Sequence, residues 1–139
     1  MEKRFSFEKR WSQIFGEIWR PVALVDFASI NELNTWTTVR MIVDTGADYS
    51  LLPRSYAKAL NVDLERDCQP FETAGIGGKE LVFVHPQIRI RIGEWEREVP
   101  VGFLERDTVP PLLGRQQFLE VLSVLFENHT TTFRTQTKT

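Results

Sequence analysis

Asp44, Thr45 and Gly46 lie in the one chemically loaded stretch of this chain, which runs from Met41 to Pro53. The β-branched pair Ile42-Val43 reads as the end of a buried strand, so Asp44 stands at a strand tip, and Gly46 gives the backbone freedom for a sharp turn just beyond it. Leu51, Leu52 and Pro53 pin the turn from the other side, which leaves the carboxylate little room to swing into water. A carboxyl group held in this way can serve as general acid or general base, and it needs a partner. A plainer reading stays open, because Asp, Thr and Gly all favour turns for backbone reasons alone.

The elements that must position Asp44 follow from pattern. Residues 18–27 read as a strand, with Pro21 tolerable only at an edge or an irregularity. A polar loop over 28–35 returns the chain into a second strand, 36–43, which delivers Asp44. A short helix is predicted over 53–61, where Pro53 leads into Ala57, Lys58, Ala59 and Leu60. Residues 63–69 read as surface connection, with Cys68 a small unreactive side chain. The glycine-dense run Thr73 to Lys79 is a hairpin tip; it lacks the glycines and the hydroxyl that a phosphate loop or a dinucleotide fingerprint requires. Strands over 81–92 and 95–104 are joined by Gly93-Glu94, with Ile88, Ile90 and Ile92 inward and Arg89 and Arg91 outward. A second short amphipathic helix is predicted over 115–122, and a hairpin over 123–127 and 130–135 closes the chain. Phe7, Trp11, Ile14, Phe15 and Ile18 have the spacing of one helical face, with an extended arm as the alternative. The expected domain is therefore an all-β, closed barrel-like fold with two short helices over 18–139, preceded by an arm or helix over 1–17.

Composition narrows the function classes. A chain of 139 residues, 42% hydrophobic, can build one core of ordinary size. With 17 basic against 19 acidic residues there is no broad field to attract nucleic acid or an anionic membrane. No apolar run approaches bilayer length, and Glu8, Lys9 and Arg10 break any export signal. The single Cys68 permits no intrachain disulfide, which fits a cytoplasmic location. His85 has no second His, Cys or acid at metal-ligand spacing, and neither it nor His129 is given a role.

The apolar lead into Asp44-Thr45-Gly46-Ala47, paired with the later Pro111-Leu112-Leu113-Gly114-Arg115, resembles the retropepsin-like aspartic proteases. The resemblance spans roughly residues 18–134. It implies that the segment ending in Leu113 and Gly114 threads beside the Asp44 loop, that Thr45 braces the catalytic pair, and that Gly46 presents its backbone near the attacking water. It further implies that Ala47 lines the cleft, that Asp48 accepts from substrate backbone and pairs with Arg115, and that Gly75, Ile76, Gly77 and Gly78 close over a bound polypeptide. On this basis Asp48 and Arg115 are expected to form a partly buried pair whose disruption costs a few kcal/mol.

Aspartic peptidases use two carboxylates about 3 Å apart that share one proton. This chain offers one, since Asp26, Asp48, Asp63, Asp67 and Asp107 lack the Thr-Gly context. The economical arrangement is a twofold homodimer with Asp44 facing its copy. No metal or organic cofactor is called for. Two rival readings are a silent dimer that holds an extended peptide without cutting it, and a monomeric structural domain.

Overall fold

The computed structural model describes residues 1–32, 34–75 and 78–136. Its centre is a ring of strands. β4 (Val22–Ala28) and β5 (Trp36–Val43) form an antiparallel pair in which Ala23, Val25, Phe27, Val39, Met41 and Val43 all point inward. β8 (Gly78–Ile92) and β9 (Trp95–Leu104) form the second long pair, and Ile88, Ile90, Ile92, Val99, Val101 and Phe103 fill the same core. β6 (Ser50–Leu52) lies parallel to β9, and the two-residue β10 (Leu112–Leu113) sits between β5 and β6. Pairing of β4 with β8 closes the ring, while β7 (Gln69–Gly75) extends beyond it as a hairpin with the start of β8. The alternation of apolar and polar residues in these strands is what allows one face of each to be buried.

On the outer face Asp26 binds across three strands. Its carboxylate accepts from Thr38 at 2.6 Å and from Arg91 at 2.8 Å, and the Arg91 guanidinium lies over Trp36. Partial burial pushes the Asp26 pKa up, but the two hydrogen bonds and the Arg91 charge outweigh it and hold the acid below the usual carboxylate range.

Helix α1 (Ser55–Ala59) lies within the span predicted for it, and Asn61 ends it in the left-handed region at φ 58°. The expected surface connection over 63–69 contains a further helical turn, α2 (Leu64–Asp67), because Asp63 caps it by accepting from Glu65 N and Arg66 N at 3.0 Å. Cys68 is half-buried beside it, and burial, with the Asp67 and Asp63 charges, pushes its thiol up to about 11.

Three expectations are corrected. The helix predicted over 115–122 is a series of turns ending in a 3-10 turn, Leu119–Val121, because Gln117 adopts φ 56° and breaks the α repeat. The single strand predicted over 18–27 is split at Pro21. The helical face read over residues 7–18 is a ribbon: β2 (Glu8–Ser12) pairs with β3 (Gly16–Arg20). Ser12 Oγ accepts from Ile14 N and Phe15 N, and Gly16 at φ +71° completes the reversal, so local turn chemistry overrides the apolar spacing. β1 (Glu2–Ser6) pairs with β12 (Thr130–Thr135), which in turn pairs with β11 (Leu122–Glu127). The boundary expected after residue 17 thus falls inside β3.

Candidate active site

Asp44 follows the last residue of β5 directly, and its backbone is fixed before its side chain is considered. Ile42 N donates to Pro111 O, Val43 N to Pro21 O and Asp44 N to Leu113 O, each at 2.9 Å. The parallel register sets Leu113 against Val43 and Leu112 against Ile42. On the far side of β10, Leu112 faces Leu51 of β6. A short strand from late in the chain thus fills the gap between the strand entering the loop and the strand leaving it.

The loop is closed by its own backbone. Ala47 N donates to Asp44 O at 3.2 Å, Arg115 N to Ala47 O at 3.0 Å and Gln116 N to Asp48 O at 2.8 Å. Gly46 N donates to Asp44 Oδ1 at 3.0 Å, which aims the carboxylate along the loop. Asp44 is half-buried, Ala47 likewise, and Thr45 and Gly46 are exposed. Thr45 shares a shallow depression with Arg115, Leu119, Leu122 and Val124, so the loop and the start of β11 form one surface. The arrangement presents a positioned proton acceptor, an exposed hydroxyl and free backbone groups side by side.

Leu113 and Gly114 are buried, and Gly114 is required by space. A Cβ at that position would lie 2.3 Å from the carbonyl carbon of Tyr49 and 2.4 Å from its oxygen. Gly114 N donates to the buried Ser50 Oγ at 3.0 Å. Tyr49 is also gripped from β9, where a Cβ on Gly102 would meet its ring at 2.7 Å. Sequence reasoning passed over Ser50, Tyr49 and Gly102. Only Gly102 carried a signal, being a glycine in a strand interior, a place where another chain segment commonly approaches closely.

Asp48 and Arg115 do meet, with Arg115 Nη2 donating to Asp48 Oδ1 at 2.6 Å. The expected burial is absent: the side chains are 82% and 48% exposed, so water screens the pair. We therefore expect Arg115→Ala to lower the unfolding free energy of this chain by about 1 kcal/mol or less, as at exposed Arg89. Urea denaturation of both variants measures this, and a loss several times larger at Arg115 alone would show that another surface covers the pair.

Gly75 and Gly78 face each other at the end of the β7–β8 hairpin, on an element separate from the Asp44 loop. Ile76 and Gly77 lie outside the described residues. Among the described residues no group of three His, Cys, Asp or Glu is placed to hold a metal ion, and no helix is long and apolar enough to cross a membrane.

Residues 29–120 match the family model described as "gag-polyprotein putative aspartyl protease". A crystal structure of a retropepsin-like aspartic protease from Rickettsia conorii is similar to the chain with a TM-score of 0.64, covering 95% of this chain and 98% of that one. At 16% identity that likeness concerns the fold alone. No curated protein matches the chain in sequence.

Proposed function

The chain belongs to the retropepsin-like aspartic protease family, and from that premise we propose that it is an aspartic endopeptidase whose attacking water is activated by two Asp44 carboxylates in a homodimer. The observation that carries this reading is the Asp44 loop itself, held at 2.9 Å by Leu113 O, with a half-buried acid that accepts from Gly46 N and with exposed Thr45 and Gly46 beside it. One acid cannot both accept and donate the protons of amide hydrolysis, so the site is half a site. The dimer is supported by β11, whose outer edge is unpaired among the described residues and begins at Leu122 beside Thr45. Such an edge is available for pairing with its copy.

In this dimer the ionised Asp44 removes a proton from the water while its protonated copy donates to the scissile carbonyl oxygen. A tetrahedral intermediate forms without any covalent bond to the enzyme. Its collapse returns a proton to the leaving nitrogen, and the two carboxyls exchange roles. Thr45 braces the pair across the axis, Gly46 offers backbone groups near the water, and Ala47 and Asp48 border the extended substrate. Gly75, Ile76, Gly77 and Gly78 cover it. This chemistry operates in a reducing cytoplasm, where the lone Cys68 stays a thiol.

The test is cleavage of a denatured protein mixture over a dilution series, with product ends identified and a pepstatin-type transition-state inhibitor as control. Specific activity should fall on dilution as dimers separate. Full activity in a demonstrably monomeric sample would overturn the shared dyad. Tight holding of an extended peptide with no cleavage at any concentration would replace the enzyme by a silent peptide-binding dimer.

A further inference from the structure

The β2–β3 ribbon is used by nothing in the mechanism above, and it carries the most exposed apolar side chains among the described residues. Trp11, Ile14 and Phe15, at and beside its tip, are 79%, 83% and 77% exposed. Its base is firmly seated. Trp19 stacks on His129 with ring centroids 4.6 Å apart, Phe7 N donates to His129 O, and Phe7 meets Phe126 of β11 edge to face. An aromatic path therefore runs from the β11 strand through Phe7 and His129 to Trp19 and up the ribbon. Trp11, Ile14 and Phe15 together leave on the order of 500 Å² of residue surface in water at the tip. That is at the upper end of the few hundred Å² of the largest patch on a typical monomer, a size that often marks an interaction surface.

We propose that this ribbon is an embracing arm that lays Trp11, Ile14 and Phe15 on the second copy of the chain. The inference rests on the dimer of the preceding subsection and adds a contact to it. The arm is rooted at Pro21, whose carbonyl accepts from Val43 N at 2.9 Å, one residue before Asp44. If the two Asp44 carboxylates meet across the axis, each root stands beside that axis. A ribbon of five paired residues reaches roughly 17 Å, which brings the partner's surface within range of its tip. The charges on the ribbon do not favour a lipid surface instead. Lys9 pairs with Glu17, and Arg10 and the neighbouring Arg40 both pair with Glu8, so the basic surplus, Arg20 included, sits toward the base, and residues 11–16 at the tip carry no charge to frame it as segments that bind anionic membranes do.

The experiment is sedimentation equilibrium of the full chain, comparing wild type with Ile14→Ser/Phe15→Ser, with Ile14→Ser alone, and with Leu24→Ser, which removes one exposed apolar side chain from the barrel wall. The tip variant should need at least a tenfold higher concentration to dimerise, with an unchanged melting profile, while Leu24→Ser behaves as wild type. Ile14→Ser alone supplies a milder change should the double variant melt early. A tip variant that dimerises at the wild-type concentration overturns the arm and leaves the dimer standing. Flotation of wild type, but not of the tip variant, with phosphatidylserine-containing vesicles would likewise overturn it if dimerisation is unaffected. A wild type that stays monomeric at every concentration removes the dimer and the arm together.

Discussion

Asp44→Asn should lower peptide cleavage by about a thousandfold or more while leaving the barrel and the dimer intact. Asparagine keeps the size of the side chain and an oxygen at the position that accepts from Gly46 N, so the 3.0 Å contact closing the loop survives. What it removes is the ability to take a proton from water or give one to the carbonyl. Cleavage by the native protein should also be bounded on both sides of its pH range. On the acid side both carboxyls of the pair are protonated and no base remains; on the other side the shared proton is lost and no acid remains. The measurement is turnover of a mapped peptide by both proteins, with sedimentation showing equal dimer content. Wild-type turnover in the asparagine protein would end the aspartic mechanism.

Gly114→Ala is the substitution with the largest expected effect on stability. The new methyl would sit 2.3 and 2.4 Å from the carbonyl carbon and oxygen of Tyr49, and these are backbone atoms that cannot rotate away as a side chain tip can. Relief requires β10 to part from the loop, which breaks the bonds from Gly114 N to Ser50 Oγ and from Arg115 N to Ala47 O. We expect a loss of about 3 kcal/mol or more, read as a shift in the urea midpoint, accompanied by loss of activity. Gly46→Ala is the contrast, because its methyl would meet only the side-chain oxygen of Asp44, at 3.3 Å. Its fold should survive, so equal midpoints for the two variants would contradict the packing described.

The parts of this molecule that were legible in the sequence are those where one short-range pattern has one physical solution. Alternation at Ile88, Ile90 and Ile92, the β-branched approach to Asp44 and the Gly93-Glu94 turn each led to the observed strand. The Asp48–Arg115 contact followed from the pairing of the two motifs, but its exposure did not, since burial depends on what the rest of the chain leaves uncovered. One misreading arose where turn chemistry overrides an apolar period. Apolar residues at 7, 11, 14, 15 and 18 satisfy a helix, but the observed register sets Trp11 opposite Glu17 and Ile18 opposite Arg10, so the turn between Ser12 and Gly16, not a shared apolar face, fixes the ribbon. Residues 115–122 failed differently: Phe118 and Leu122 are both buried, as an amphipathic segment requires, but the backbone reaches that result through a left-handed Gln117 that no local pattern announces.

β10 gives the order in which this molecule can become a working one. Asp44 and the residues that hold it, Leu113 and Gly114, are separated by roughly seventy residues of sequence, and closing a loop of that length costs entropy that only the finished packing repays. During synthesis the acid leaves the ribosome early, flanked by β5 on one side and by a β6 that has nothing to bridge it to β5. A nascent or prematurely ended chain that stops before Leu112 contains the reactive group without the strand that aims it. The wedge of two leucines therefore acts as an interlock: under the proposed mechanism, a chain still being made is barred from acting on itself or its neighbours until residues 112–114 are in place.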